Sequence, residues 1–333
     1  MDVMKSIYEK AKAHPQQVAF PEATEEKILL AARECADKGY CKPLLVGNAA
    51  EIKNAAAQFG VGLDNLALVN TEDEAWLDGL IEKYVERKPE NSAKSMKRKS
   101  KDPLYAALMM EVVGETDCTF SGFSHTTADV MNAGLLTVGL AEGIDLVSSF
   151  GILDIPGYQG SEGSLLAFAD SAICTNPDAE ELATIAISTC GSVKNLMGWE
   201  PRCALLSFST DGSSDHPLVE KVREAVRIAG EKRPDLAIDG EFQLDTAISP
   251  AVAAKKLKRE SRVAGKANII IWPNLDVGNV GVKLVQQFAH ANAPGPFLQG
   301  FAKIVCDCSR GAPVSELVGN IAISSVRARE LNS

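Results

Sequence analysis

Short apolar runs alternate with amphipathic stretches along the first part of the chain. The runs at 18–20 and 43–46 end at Pro21 and Gly47, which is typical of short buried strands. Between them, apolar residues recur at the spacing of one helical face, which predicts a helix over 26–38. Because strands that alternate with helices indicate a parallel sheet, we predict an α/β fold.

The same alternation continues to the end of the chain. Further strands are predicted at 147–155, 165–169, 203–208 and 268–272, and a closing helix at 314–330. This closing segment can return to the first block of elements. We therefore predict a discontinuous first α/β domain, 1–144 plus 294–333, and a second α/β domain, 145–293.

Residues 88–102 interrupt the alternation with a basic, serine-rich segment. Charge runs of this kind usually form a solvated surface, so we favour an exposed loop. The alternative is a basic rim that attracts a polyanionic ligand. The amphipathic N-terminal stretch 1–17 is expected to pack on its own domain, and the alternative is a docking tag.

Charge and composition exclude several classes of function. The 333-residue chain is 46% hydrophobic and carries a net charge of −10, which disfavours binding to nucleic acid or to an anionic membrane. No run approaches the ~20 apolar residues of a membrane span. Eight cysteines without a C-x-x-C motif, and only four histidines, argue against a metal site. We expect reduced thiols and a cytoplasmic location.

Four polar loops follow predicted strands, at the edge where open α/β sheets bind ligands. They lie at 121–129, 207–214, 239–245 and 307–311. Their hydroxyl groups, glycines and backbone N–H groups suit phosphate. No G-x-G-x-x-G follows a strand and no G-x-x-x-x-G-K-[ST] occurs, which disfavours the common dinucleotide and P-loop sites.

The last of these loops combines a hydroxyl, a guanidinium and, shortly after it, a carboxylate. Arg310 offers a planar fork that matches phosphate oxygens, and Ser309 can donate a hydrogen bond to an oxyanion. Glu316 can accept a proton. The alternative is a simple helix start, with Ser309 as the N-cap and Glu316 as an early carboxylate.

From residue 121 to its end, the chain resembles the phosphate acetyltransferase (phosphotransacetylase) family. The early segments PEATEEKILLAA and LLVGNAAEI also look like the opening of that family. The segments that carry the resemblance are SGFSHTTAD, FADSA, LLSFSTDGS, AIDGEFQLDTAISPAVA, GKANIIIWPNLDVGN, GPFLQGFAK and DCSRG. The three segments DGEFQLD, GKAN and DCSRG, found together in this order, are highly specific for this family.

This resemblance implies reversible acyl transfer between an acyl phosphate and coenzyme A, with acetyl as the expected group. It implies two doubly wound α/β domains with an interdomain cleft, similar to isocitrate and isopropylmalate dehydrogenases, and a homodimer. Coenzyme A is then a substrate, and no resident cofactor or metal is required, because phosphate is a good leaving group.

The resemblance also implies residue roles. Ser309 and Arg310 would bind and polarise the acyl phosphate, and Glu316 would replace the family's aspartate base. Arg87 would bind coenzyme A. The loop after residue 120 would add substrate contacts from four residues, His125, Thr126, Thr127 and Asn132.

The chain departs from the family at three positions where arginine is expected. Lys27, Asn132 and Gln287 stand there. The loss of arginine at positions 132 and 287 favours one alternative, a divergent protein that senses acyl phosphate or acyl-CoA without turnover. The other alternative is an oxidoreductase of the related dehydrogenase fold, which would need metal-binding aspartates.

Two further chemical alternatives remain open near the predicted site. Cys306 and Cys308 could act as nucleophiles, although a buried cysteine is usually inert. His125 could be a second base, a phosphate ligand or only a structural residue.

Overall fold

A computed structural model describes residues 3–332, so Met1, Asp2 and Ser333 lie outside the described residues. The chain divides into two compact units, of which the first runs to Glu142 and resumes at Phe301, and the second is Gly143–Gly300. Residues 294–300, predicted in the first domain, belong to the second unit. The reason is that the strand Phe297–Gln299 pairs with a strand of that unit, Ser148–Asp154.

The first unit contains a five-stranded sheet. Its strands are β1 (Gln17–Phe20), β2 (Lys42–Gly47), β3 (Ala67–Asn70), β4 (Cys118–Ser121) and β11 (Ile304–Asp307). The helices are α1 (Val3–Ala13), α2 (Glu26–Lys38), α3 (Ala49–Phe59), α4 (Glu74–Arg87), α5 (Ala93–Lys99), α6 (Pro103–Val113), α7 (Thr127–Thr137) and α13 (Val314–Asn332).

All strands of this sheet run parallel, in the order β11-β4-β1-β2-β3. The chain therefore builds outward from β1 to β3 and then crosses to the other side of β1. This reversal creates a topological switch point between β1 and β4, which is where open α/β sheets bind ligands.

Helices cover both faces of this sheet. Successive residues of a strand point to opposite faces. Thr119 of β4 donates to Glu111 of α6, whereas its neighbour Cys118 lies near Arg327 of α13. The predicted α/β fold is thus confirmed, with α6 and α13 on opposite faces of β4.

The second unit contains a six-stranded mixed sheet in the order β10-β5-β6-β9-β7-β8, in which β5 runs antiparallel to both neighbours. Its strands are β5 (Ser148–Asp154), β6 (Leu165–Ala169), β7 (Arg202–Leu206), β8 (Ala237–Phe242), β9 (Ile269–Ile271) and β10 (Phe297–Gln299). Its helices are α8 (Ala179–Met197), α9 (Pro217–Lys232), α10 (Leu244–Ile248), α11 (Pro250–Lys256) and α12 (Leu275–Ala289).

Residues 88–102 are not the loop that charge patterning predicts. They contain α5, which begins at the N-cap Ser92, whose hydroxyl accepts from Ser95 N–H. Met96 is fully buried and attaches the helix to the unit. One apolar residue among many charges is too weak a periodic signal to reveal a helix.

The N-terminal helix α1 packs on α13 and buries Val3, Ile7 and Ala11. This arrangement agrees with packing on its own domain rather than with a free docking tag. Within residues 3–332, no helix is long and apolar enough to cross a membrane.

Candidate active site

Three chain segments of the first unit meet beyond the carboxyl ends of β1, β4 and β11. Glu22 follows β1, the loop 122–125 follows β4, and Asp307 is the last residue of β11. Hydrogen bonds connect the three segments. The site therefore forms at the switch point of the sheet, where the order of strands reverses.

Glu22 is the anchor of this arrangement, and sequence reasoning missed it. Its carboxylate is 3% exposed and accepts from the N–H groups of Phe123 (2.8 Å), Ser124 (2.9 Å) and His125 (2.9 Å). The Ser124 hydroxyl adds a bond of 3.0 Å. Burial alone would raise the pKa of Glu22, but these hydrogen bonds, led by the His125 ring, lower it below its usual value.

His125 lies between two carboxylates. Its Nδ1 is 2.7 Å from Glu22 and its Nε2 is 3.1 Å from Asp102, the N-cap of α6. Hydrogen bonds to Asp102 and then to Glu22 raise the pKa of His125 to about 10. An imidazolium with both N–H groups engaged can neither accept a proton nor donate to phosphate. The geometry therefore favours a structural His125 over the predicted substrate-binding residue.

Ser309 and Arg310 lie on the turn after β11, facing this loop. Arg310 Nη2 donates to the carbonyl of Ser124 at 2.9 Å, and the guanidinium influences Asp129 in the first turn of α7. Ser309 is exposed, and its hydroxyl accepts from Gly311 N–H at 3.2 Å. Ser309 is not the N-cap of the last helix, because α13 begins only at Val314, beyond Pro313.

Lys27 brings a second cation to the same turn. Its Nζ donates to the carbonyl of Ala312 at 3.0 Å and lies 5.7 Å from the centre of the Phe123 ring. The lysine that replaces an expected arginine therefore keeps a positive charge beside Arg310. Gln287, another such replacement, lies exposed on α12 of the second unit.

The remaining predicted residues of the loop are on α7 or at its start. Thr126 is the N-cap and forms a capping box with Asp129, so its hydroxyl serves the helix. Thr127 donates to Asp307 Oδ2 at 2.6 Å. Asn132 is exposed further along α7. The structure thus brings Thr127 to the turn after β11 and leaves Thr126 in a helix cap.

Asp307 is the second residue that sequence reasoning left without a role. Burial raises its pKa to about 6, although the bond from Thr127 acts in the opposite direction. Its Oδ1 is buried without a hydrogen-bond partner. Gly122 has a φ of +96°, and a Cβ there would lie 2.0 Å from that oxygen. Only glycine allows this approach of the two loops.

Glu316 lies exposed in the first turn of α13, where its N–H bonds the carbonyl of Pro313. Its carboxylate acts electrostatically on Cys308. Burial raises the pKa of Cys306 to about 11 and that of Cys308 well above its usual value. Both thiols therefore stay protonated near neutral pH, which argues against cysteine nucleophiles.

Arg87 is not brought to this cluster. Its Nη1 donates to the carbonyl of Val112 at 2.7 Å, at the C-terminal end of α6. Asp102, which bonds His125, caps the opposite end of the same helix. A helix of 11 residues spans about 16 Å, so Arg87 lies roughly that far from His125. Helix direction, which sequence patterning does not give, decides this placement.

Within residues 3–332, no group of three or more histidine, cysteine, aspartate or glutamate side chains could hold a metal ion. The metal-binding aspartates that an oxidoreductase of the dehydrogenase fold would need are therefore not assembled in the described part of the chain. The chemistry available at the switch point consists of hydroxyl groups, cations and carboxylates.

Comparisons with known proteins agree with this chemistry. A family model described as "Phosphate acetyl/butaryl transferase" matches residues 2–325. A phosphate acetyltransferase of Thermoanaerobacterium thermosaccharolyticum is 40% identical, and the alignment covers 99% of this chain and 100% of that protein. Neither the sensing nor the oxidoreductase alternative finds support in these matches.

Solved structures give the same result for the fold. A phosphotransacetylase from Streptococcus pyogenes has a TM-score of 0.89 and 33% identity, with 98% of each chain covered. A 4-hydroxythreonine-4-phosphate dehydrogenase from Klebsiella pneumoniae has a TM-score of 0.56 at 10% identity, covering 94% of this chain and 99% of that one. The second likeness concerns the fold alone and agrees with the predicted relation to dehydrogenases.

The charged His125 makes stability depend on pH. The folded chain holds the proton up to about pH 10, whereas the unfolded chain releases it near 6.5. This stabilisation is complete below about pH 6.5, so the free energy of unfolding should fall from pH 7 to pH 10. His125→Gln should flatten that fall, whereas His14→Gln, at an exposed histidine, should not. Urea unfolding at a series of pH values gives the free energy of unfolding of the parent and of both variants. An equal dependence on pH in all three proteins would contradict the charge assigned to His125.

Proposed function

The chain belongs to the phosphate acetyl/butaryl transferase family, and we propose that it transfers an acetyl group reversibly between acetyl phosphate and coenzyme A at the switch point of the first unit. The observation that carries this assignment is the placement of Ser309 and Arg310 beside the start of α7. The guanidinium of Arg310, the hydroxyl of Ser309 and the N-terminus of α7 suit a phosphate group. They also suit the oxyanion that forms on the acyl carbonyl during the reaction.

Binding of the acyl phosphate is assigned to the turn after β11. Arg310, on this turn, bonds the carbonyl of Ser124 in the loop after β4, and Lys27 bonds the carbonyl of Ala312 in the turn itself. These bonds fix two cations near the exposed hydroxyl of Ser309. Charge-assisted hydrogen bonds to phosphate are stronger than neutral ones. The phosphate group therefore binds beside Arg310. The carbonyl oxygen of the acyl group is polarised by the same donors, the guanidinium of Arg310 and the hydroxyl of Ser309.

The reaction needs one nucleophile and one proton acceptor. The thiol of coenzyme A, with a pKa near 8.5–9, is mostly protonated at neutral pH and must lose its proton to attack. The sulfur then forms a bond to the acyl carbon, and the bond from that carbon to the phosphate oxygen breaks. Glu316, exposed at the start of α13, is the acceptor that the family resemblance implies.

Coenzyme A carries several phosphate charges, and α5 offers a basic surface for them. This helix contains Lys94, Lys97, Arg98 and Lys99, and the chain continues from it directly to Asp102, which bonds His125. The C-terminal end of α5 therefore leads to the loop cluster, whereas Asn91, before its start, bonds the carbonyl of Leu136 at the far end of α7. Lys97 is paired with Asp78, which leaves Lys94, Arg98 and Lys99 as the cations of this surface. We assign this end of α5 to the polyanionic part of coenzyme A, and Arg87, at the C-terminal end of α6, stays a second candidate as the resemblance implies.

The homodimer is proposed from α12 of the second unit. Its exposed residues Val277, Val280, Leu284 and Phe288 form one uncharged stripe, and Phe288 is 81% exposed. Spacings of three and four residues resemble the seam between paired helices. The stripe continues into an apolar pocket of about 360 Å³ next to Leu218 and Trp272. Such a surface suits a second copy of the same chain.

A cytoplasmic location is proposed from the thiols. All eight cysteines are free in the structure, and most of them are buried. Thiols stay reduced in the cytoplasm, whereas oxidising compartments favour disulfides.

Arg310→Ala should lower turnover by a factor of about 10²–10³, because it removes one preorganised group that stabilises charge. Arg310→Lys should fall between this variant and the parent, since lysine keeps the charge but loses the fork. Thioester absorbance with acetyl phosphate and coenzyme A measures the rate. A parent chain that forms no thioester would remove the proposed function, and an Arg310→Ala variant within about threefold of the parent would remove the role of Arg310.

The double change Val280→Glu and Phe288→Glu should convert a dimer into monomers, because it places charge within the apolar stripe. Lys255→Glu, an exposed change on α11 of the same unit, should leave the assembly intact. Sedimentation velocity of the three proteins at equal concentration gives the masses. A parent that sediments as a monomer would contradict the dimer proposal.

A further inference from the structure

Thr127 and Asp307 form a hydrogen-bonded pair that takes no part in the acetyl transfer as proposed so far. Thr127 Oγ1 donates to Asp307 Oδ2 at 2.6 Å, a distance typical of a hydroxyl bound to an ionised carboxylate. Thr127 is exposed at the first position of α7, whereas Asp307 lies beneath it, at the end of β11. The exposed hydroxyl of Thr127 therefore connects a substrate to the partly buried carboxylate of Asp307.

The direction of this hydrogen bond decides what Thr127 can bind. A hydroxyl has one proton and two lone pairs, and the proton of Thr127 is committed to Asp307. Toward a substrate the hydroxyl is then an acceptor. The phosphate group of acetyl phosphate, when ionised, and its carbonyl group offer acceptors, whereas the thiol of coenzyme A offers a donor. The geometry thus favours the thiol as the partner of Thr127, in contrast to the phosphate contact that a hydroxyl-rich loop first suggests.

The pair also lies beside the groups that hold the acyl phosphate. Asp307 precedes Ser309 by two residues, and Arg310 bonds Ser124 in the loop that leads to Thr127. The two segments, 122–127 and 307–310, are therefore joined twice, once by Arg310 and once by Thr127. A thiol placed on Thr127 lies next to the phosphate site rather than on a remote surface.

We infer that Thr127 and Asp307 act as a proton relay for the thiol of coenzyme A, which rests on the proposed acetyl transfer. The thiol proton passes to Thr127 Oγ1 while the proton of Thr127 passes to Asp307 Oδ2. The sulfur lone pair forms the bond to the acyl carbon, and the departing phosphate keeps the electron pair of the broken carbon–oxygen bond. Asp307 afterwards releases its proton to water, and the departing phosphate takes up a proton from water to leave as hydrogen phosphate. The reverse reaction runs the same steps backward.

Asp307 suits an acceptor that works near neutral pH. Burial raises its pKa to about 6, and the nearby charge of Glu22 acts in the same direction, against the hydrogen bonds from Thr127 and the Cys308 N–H. An acceptor with a pKa close to the working pH is the most effective one. Glu316, the acceptor that the resemblance implies, is an exposed carboxylate on the first turn of α13, and in the relay Asp307 takes its place.

The neighbours of Asp307 do not titrate in the same range. Glu22, which faces it from beyond β1, is ionised because its pKa is lowered, and Asp129 on α7 has a lowered pKa too. Cys306 and Cys308 on either side of it have raised pKa values and stay neutral. From α13, Glu316 acts on Cys308 rather than on Asp307. An acidic limb near pH 6 would therefore report Asp307.

The test is a pH–rate profile of thioester formation from pH 5 to 9. The parent should show an acidic limb near pH 6, the pKa of Asp307. Asp307→Asn should lose the limb and turn over about 10²–10⁴ times more slowly, as expected for removal of a positioned proton acceptor. Glu316→Gln should keep the limb. A limb that disappears in Glu316→Gln and persists in Asp307→Asn would overturn the relay.

A second pair of variants decides the question if Asp307→Asn does not fold. Thr127→Val keeps the shape of the side chain without the hydroxyl and should lose turnover, whereas Thr127→Ser should restore most of it. Melting temperatures of both variants separate a structural loss from a catalytic one. A folded Thr127→Val protein within about threefold of an active parent would overturn the relay and leave acetyl transfer intact. A parent without any turnover would remove the proposed function, and the relay with it.

Discussion

The site depends on one buried carboxylate, that of Glu22, which holds the loop after β4 against the end of β1. Three backbone N–H groups and the His125 ring converge on it. A buried carboxylate is costly unless it is fully hydrogen-bonded, and here the loop supplies the bonds. The conformation of the loop and the ionisation of Glu22 are therefore mutually dependent.

Everything else at the switch point builds on this fixed loop. Arg310 bonds the carbonyl of Ser124, whose N–H and hydroxyl bond Glu22. Gly122 permits the close approach of Asp307, and Thr127 then meets that carboxylate. The cations that would bind phosphate are thus attached to a frame that is already ordered. Such preorganisation lowers the cost of stabilising charge during the reaction.

The sequence predicts the α/β class, most strands and the edge of the sheet at which the site forms, because those depend on local periodicity and on a general rule of open sheets. Contacts between distant segments were not predictable. The partners of His125 lie 103 and 23 residues away, so its charge could not be read from its own loop. The role of Arg87 rests on the resemblance alone and stays a prediction, since the structure shows only its bond to the C-terminal end of α6.

The most direct test of this account is hydrogen exchange of the backbone N–H groups of residues 123–125 in the parent, in Glu22→Gln and in Glu26→Gln. Glu26 is an exposed residue in the first turn of α2 and serves as the control. We expect protected N–H groups in the parent and the control, and selective loss of protection with loss of turnover in Glu22→Gln. Equal protection of this loop in all three proteins would contradict the central role of Glu22.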